Sequence, residues 1–311
     1  MYSHSFRSKV VSGTFTLPVM AIMAAVCWML PDLSSWPLWA GLCIAGLTTY
    51  VAMELNNRFA LLRIRSRMVS STYLLLLTAC PTLHTSVLTA LPVALCLALS
   101  YAMLFASYQQ VKAQGYVFHA FLCIGMGSLL FPPMLGLALT FYLNMIVQLR
   151  NFTWRSFTAG LLGLALPYWI YAVWAIWNNR LDTAFVYLTA WFAPHVPDFS
   201  TFGPHEWVTV GMLCFFTLLA LVHFFHTAYN DKIRTRMLFY VVVTQQLAIT
   251  AGLFLLPEHL DCMLSLFVFN ASLLLAHYYA LAKGRFFDSW FNLSLAAWVV
   301  LALYNSLNLW T

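Results

Sequence analysis

The chain has 311 residues, of which 62% are hydrophobic and only 8% are charged, and its mean hydropathy is +0.81. Soluble domains carry roughly 25% charged residues, so these values exclude an ordinary soluble protein. The formal net charge is +6, but nearly all of the chain belongs in lipid, so this balance does not indicate a nucleic-acid partner.

Lipid offers no partners to backbone polar groups, which leaves helix bundles and closed barrels as the possible folds. Barrel strands alternate apolar and polar residues. In this chain, stretches such as 207–220 and 237–256 are instead apolar on every face. The sequence therefore predicts an all-α, polytopic transmembrane helix bundle.

About eleven apolar segments follow one another along the chain, and most reach the ~20 residues that a membrane span needs. The fifth and sixth are shorter and are separated by Pro132-Pro133, so 116–149 forms either two short spans or a re-entrant hairpin. The segments are predicted at 13–31, 37–55, 68–88, 91–107, 116–131, 133–149, 156–177, 207–228, 237–256, 262–282 and 289–309.

Basic residues predict the direction of these spans. With the N-terminus in the cytoplasm, every one of the 15 Lys and Arg residues except Arg180 falls inside, as the positive-inside rule requires. An odd number of spans then puts the C-terminus outside. We predict a single integral membrane domain over residues 1–311 in the bacterial inner membrane. Six of the nine acids fall outside: Asp32, Asp182, Asp198, Glu206, Glu258 and Asp261.

The outer loop at 178–206 is the longest connection in the chain. It contains a semi-apolar segment at 184–192, which is too short to span and is predicted to lie on the membrane surface as an interfacial helix. A planar guanidinium in such a loop could pair with the phosphate of a lipid-linked headgroup. A solvated loop with aromatic anchors is the alternative. The substrate-binding candidates are Arg180, Tyr187, Trp191, His195 and His205.

Carboxylates on the outer side are candidates for the activation of an acceptor hydroxyl. They are Asp32, Asp182, Asp198, Glu258 and Asp261. Short outer loops also contain acids for no catalytic reason, because an acidic side chain carries little free-energy penalty in a solvated loop. The sequence therefore does not establish that the protein is an enzyme. Nucleotide-binding, zinc-protease and serine-hydrolase motifs are absent from the sequence, and no cofactor is predicted.

Five polar residues within the predicted spans are singled out as intramembrane candidates: Asn144, Gln245, Gln246, Asn270 and His277. Buried amides in membranes usually bridge neighbouring helices. An ionisable group inside a membrane is a functional candidate by default. His277 is the only deep ionisable residue, and it is the basis for considering a proton-coupled carrier.

His223 and His226 lie three residues apart at the cytoplasmic end of the eighth segment, so they share one face of a helix. Two imidazoles could contribute to a metal site, but no carboxylate or cysteine lies at the complementary spacing. We predict no metal site. The preferred interpretation is an interfacial one, in which the rings occupy the headgroup zone and Lys232, Arg234 and Arg236 anchor the loop.

The order of features at 116–177 resembles an uncharacterised family of polytopic inner-membrane proteins from Bacteroidetes. It comprises Leu130-Phe131-Pro132-Pro133, Arg150, Phe152-Thr153-Trp154-Arg155, Gly160, Gly163 and Pro167-Tyr168, with Asn56-Asn57-Arg58 in the first inner loop. In span number and outer-loop character the chain is more distantly similar to O-antigen polymerases and other integral-membrane glycosyltransferases. The resemblance implies an envelope protein and transfers no catalytic residue.

Three function classes follow from the sequence. The first is the handling or transfer of a lipid-linked cell-envelope precursor at the outer face. The second is a non-catalytic membrane subunit or scaffold of an envelope assembly or secretion complex. The third is a small-solute transporter. The expected partners are membrane lipids, together with a lipid-linked glycan or other envelope proteins.

Overall fold

The computed structural model describes residues 6–29, 35–84, 86–110, 112–180, 182, 197–200, 202–282 and 284–310. Over these residues the chain forms twelve α-helices and no strand, which confirms the all-α bundle. The helices are α1 Phe6–Ser12, α2 Thr16–Met29, α3 Trp36–Phe59, α4 Met68–Ala79, α5 Val87–Ala106, α6 Gln114–Leu130, α7 Leu135–Val147, α8 Trp154–Trp177, α9 Pro204–Thr227, α10 Ile233–Leu255, α11 Leu260–Leu281 and α12 Arg285–Trp310.

Each predicted apolar segment corresponds to one helix from α2 to α12, but the count of about eleven spans is not confirmed. In the described part of the chain, seven helices are long and apolar enough to cross a membrane: α3, α5, α8, α9, α10, α11 and α12. An eighth span results if α1 and α2, which are bent by 88° at their junction, are counted together. Helices α4, α6 and α7 are shorter.

The segment predicted as one span at 68–88 is interrupted. Helix α4 ends at Ala79, and a short 3₁₀ turn follows at Pro81–His84. The reason is Pro81, which has no backbone N–H for the helical ladder and disfavours a helical residue before it. Every residue of α4 is buried, so this helix lies inside the bundle and is held by its neighbours on all sides.

Helix α11 is the centre of the bundle, and all residues from Met263 to Ala280 are buried. It packs against α4, α5, α9 and α10. A helix that is apolar on every face is stable only when it is surrounded, and the sequence of α11 meets this description. Polar side chains on α11 therefore need partners from the surrounding helices.

Helices α6 and α8 pack closely along most of their length, and glycines permit this approach. A Cβ atom at Gly163 would lie 2.4 Å from the carbonyl oxygen of Phe118, and one at Gly125 would lie 3.0 Å from the carbonyl oxygen of Leu164. Small residues let the backbones of membrane helices come together. The α6–α8 pair depends on these two positions.

The end of the bundle that carries the basic loops is here called the basic end. It comprises α1 and the loops at 60–67, 107–113, 148–153 and 228–232. Arg67 Nη1 donates to the carbonyl oxygen of Thr14 (3.3 Å), and Asn151 Nδ2 donates to the carbonyl oxygen of Ser107 (3.1 Å). The Arg234 guanidinium lies over the rings of both Phe59 and Tyr108 and so joins these loops.

The opposite end contains the α4–α5 and α10–α11 connections. There the Ser86 hydroxyl donates to Asp261, and the ring of Phe131 contacts the ring of His259 with centroids 6.0 Å apart. Phe131 lies in the turn between α6 and α7. The α6–α7 pair therefore starts and ends at the basic end, and its turn reaches the level of the α10–α11 connection.

Candidate functional site

An acid is buried among the basic loops. Asp231 follows the 3₁₀ turn Ala228–Asn230, and its side chain has no exposed surface. Oδ1 lies 2.7 Å from Nε of Arg63, and Oδ2 lies 3.0 Å from Nε2 of His277. A buried carboxylate is costly unless it is paired. Each oxygen of Asp231 accordingly faces one base.

The loop that carries Arg63 is held by an amide. Asn56 Nδ2 donates to the carbonyl oxygen of Ser66 (2.9 Å), and Asn56 Oδ1 accepts from the backbone N–H of Leu62 (3.1 Å). These two bonds close the loop around Arg63. The same guanidinium donates from Nη1 to the carbonyl oxygen of Asn230 (3.3 Å). Arg63 thus connects the α3–α4 loop to the α9–α10 turn.

His277 belongs to α11, and its side chain is fully buried. Nε2 makes the contact to Asp231, and Nδ1 is a buried atom with no hydrogen-bond partner in the described part of the chain. Its ring lies 4.7 Å from that of Phe239, 5.4 Å from that of Phe224 and 6.2 Å from that of His223, measured between centroids. The pair of Asp231 and His277 is therefore enclosed by aromatic rings.

A groove of about 860 Å³ opens beside this pair, within the range of about 300–1,000 Å³ that is usual for ligand sites. It lies between α9 and α12, and the end of α11 forms its floor. We call it the α9–α12 groove. Its apolar walls extend from the middle of α9 to the basic end and include Phe215, Leu219, Val222, Phe286, Phe287 and Trp290.

The polar end of the α9–α12 groove coincides with the basic end of the bundle. Arg63, His223, His226, Thr227 and Asn230 line it, and no carboxylate does among the described residues. His223 is half-buried and its ring lies 5.1 Å from that of Tyr278, whereas His226 is exposed. The two histidines singled out by their spacing therefore both face the groove.

No group of three or more His, Cys, Asp or Glu residues within the described ranges could hold a metal ion. His223 and His226 contribute at most two ligands from one helix face, and Asp231 is already occupied by Arg63 and His277. The donor set at the basic end thus fits an anion better than a cation.

A second polar cluster crosses the middle of the bundle. Asn270 on α11 donates to the carbonyl oxygen of Val242 (3.0 Å) and to Oε1 of Gln246 (2.8 Å), and it accepts a hydrogen bond from the Tyr101 hydroxyl. Gln245 Oε1 accepts from Thr140 (2.9 Å). These bonds join α5, α7, α10 and α11. Asn144 is also buried, but its Nδ2 has no partner among the described residues.

The sequence-predicted outer site is only partly described. Asp32, Tyr187, Trp191 and His195 lie outside the described residues, as does the predicted interfacial helix at 184–192. Its remaining members therefore provide the only structural information on that site.

Arg180, Asp182 and Glu258 are exposed. Asp261 accepts from Ser86, and Nε2 of His205 lies 2.8 Å from Oε1 of Glu206. The backbone N–H of Ser200 donates to Asp198 (2.8 Å), and this bond lowers the pKa of Asp198. None of these residues lines the α9–α12 groove, so the outer site stays a prediction.

Arg63 and Asp231 are site residues that the sequence alone did not predict. Asp231 was visible as an acid within a loop of bases, but its burial depends on the distant α3–α4 loop. His277 was identified from its depth in a span, without its partner.

Comparison with protein-family models, with curated proteins and with solved structures gives no match. The chemistry of the α9–α12 groove must therefore be inferred from its own residues.

Proposed function

We propose that this multi-pass membrane protein binds and handles a lipid with an anionic, phosphate-type headgroup in the α9–α12 groove. The observation that carries the proposal is the polarity of the groove. Its apolar walls continue to the basic end and terminate at one guanidinium and two imidazoles, with no carboxylate among the lining residues that the structure describes. An amphiphile has the same division into an apolar tail and a polar head.

Arg63 is the residue best suited to the headgroup. Its Nε faces Asp231 and its Nη1 bonds to Asn230, so the Nη2 edge remains for a phosphate oxygen. A guanidinium offers planar, directed donors to such oxygens. His226 and Thr227 lie on the same groove and add further donors. A lipid-linked envelope precursor belongs to this ligand class.

Exposed aromatic and aliphatic side chains support access from the membrane. Phe215, Val222 and Phe286 line the groove and are 50%, 48% and 72% exposed. By contrast, the groove of about 420 Å³ between α2, α3 and α4 has no charged lining residue within the described ranges. If the basic end faces the cytoplasm, as the positive-inside rule predicts, the bound headgroup belongs to the inner leaflet.

Substitution of Arg63 tests this proposal. Purified protein with Arg63→Gln is expected to retain about tenfold less phosphatidylglycerol than the wild type, because a charge-assisted contact is worth roughly 1.5–3 kcal/mol. Arg63→Lys keeps the charge without the planar fork and should fall between the two. Native mass spectrometry counts the lipids that each variant retains.

The matched control is Arg65→Gln. Arg65 lies on the same loop and is exposed, but it does not line the groove, so its loss should leave the lipid count unchanged. Equal losses in the Arg63 and Arg65 variants would mean that the basic end attracts lipid only through its summed charge. The scaffold and transporter hypotheses would then be preferred.

A further inference from the structure

The charge presented to the α9–α12 groove depends on a pair of residues behind it. Arg63 places one positive charge at the polar end of the groove. The adjacent Asp231 carboxylate, which does not line the groove, weakens the positive potential that this charge produces there. His277 touches the other oxygen of the same carboxylate. One added proton makes the Asp231–His277 pair neutral instead of negative, and the charge of Arg63 then acts on the groove without an offset.

The pair has a free position for such a proton. His277 Nδ1 is buried and has no hydrogen-bond partner among the described residues. Asp231 Oδ1 lies 2.7 Å from Nε of Arg63 in an ion pair and is not free for a proton. The two groups are coupled, so a proton added at either one changes the total charge of the pair by one.

Other ionisable groups around the pair are few. On α9, His223 lies beside His277. On α1, Arg7 is engaged by the carbonyl oxygens of Tyr279 and Ala282 and by Asp288. On α10, Arg234 lies over aromatic rings, and Arg236 is half-buried. Helices α4 and α5, which also pack against α11, contain no Asp, Glu, Lys, Arg or His.

We propose that the Asp231–His277 pair couples the binding of an anionic headgroup to the uptake of one proton from solvent. This inference rests on the proposed lipid site. A negative headgroup at Arg63 favours the neutral form of the pair, and by reciprocity the neutral form of the pair favours the headgroup. Binding and protonation therefore strengthen each other, and affinity rises as pH falls.

Two substitutions have opposite expected effects. Asp231→Asn removes the offsetting charge at every pH, so the variant should bind as tightly at pH 8 as the wild type does at pH 6. His277→Gln removes the imidazole that would accept the proton and leaves the carboxylate charged, so this variant should bind weakly at both pH values. A purely structural role of the pair predicts the same direction of change for both.

The experiment is isothermal titration calorimetry of the purified full chain in detergent with dioctanoyl phosphatidylglycerol. Its phosphodiester keeps one negative charge over the whole pH range. Wild-type protein should bind about tenfold more tightly at pH 6 than at pH 8. Titrations in two buffers of different ionisation enthalpy should report uptake of between about 0.5 and 1 proton per lipid bound near neutral pH.

The wild-type measurement shows whether binding takes up a proton, and the variants show which group takes it up. Binding without proton uptake would overturn the coupling and leave the lipid site intact. Uptake that persists in Asp231→Asn and His277→Gln but disappears in His226→Gln would assign it to the exposed histidine and also overturn the proposal. Absence of binding at both pH values, or equal binding of zwitterionic dioctanoyl phosphatidylcholine, would remove the lipid site itself.

Discussion

Gly163→Ala is expected to lower the free energy of unfolding by about 2–3 kcal/mol, as overpacking of a dense interface does. The new Cβ would lie 2.4 Å from the carbonyl oxygen of Phe118 and 3.1 Å from the backbone nitrogen of Leu122. Both contacts are backbone atoms, so no side-chain rotation relieves them and α6 and α8 must separate. Unfolding in mixed micelles, followed by circular dichroism, measures this change.

Gly211→Ala is the matched control. Gly211 also lies within a long membrane helix, and a Cβ there would meet nothing within 4 Å. Its substitution should leave the free energy of unfolding unchanged or raise it by up to about 1 kcal/mol, because Ala has the better helix propensity and meets no clash. Equal effects at the two glycines would show that helix propensity, and not the contact between α6 and α8, governs both.

Asn270→Leu is the second substitution with a large expected effect. It removes three hydrogen bonds in the middle of the bundle and leaves the Tyr101 hydroxyl, the Val242 carbonyl and Gln246 Oε1 without that partner. Hydrogen bonds between membrane helices average about 0.6 kcal/mol, with a maximum near 1.7, so the loss should total about 2–4 kcal/mol. The same unfolding measurement in mixed micelles reports this loss.

Ser272→Ala provides the comparison for Asn270→Leu. Ser272 is equally buried on α11, but its hydroxyl donates to the carbonyl oxygen of Phe269 within the same helix. Its loss should change the stability by no more than about 0.5 kcal/mol. A comparably small effect of Asn270→Leu would contradict a bridging role for the amide.

The helices were predictable because their signal is local. A run of apolar residues long enough to cross a membrane is read directly from the chain, and the positions of α2 to α12 follow from it. The number of spans was less predictable, because length alone does not distinguish a span from a short buried helix such as α4. Pro81 was visible in the sequence, but the segment around it was assigned as continuous.

The candidate site was less predictable because its members are brought together only by folding. Arg63 and Asp231 belong to two loops of the basic end that look alike in composition, and nothing local indicates that the two loops touch. His277 was identified as the deep ionisable residue, while the carboxylate that pairs with it was counted among the loop residues. Charge counting assigns residues to a side of the membrane, but it does not identify which oppositely charged residues form pairs.

The proposed location of the lipid can be tested directly with phosphatidylglycerol that carries a photoreactive diazirine in its acyl chain, followed by peptide mapping of the labelled protein. We expect labelling concentrated on the groove-facing residues Val222, Phe287 and Trp290, and a loss of that labelling in Arg63→Gln. Labelling spread evenly over exposed α8 positions such as Leu162 and Trp169, and unchanged in Arg63→Gln, would contradict a lipid site between α9 and α12.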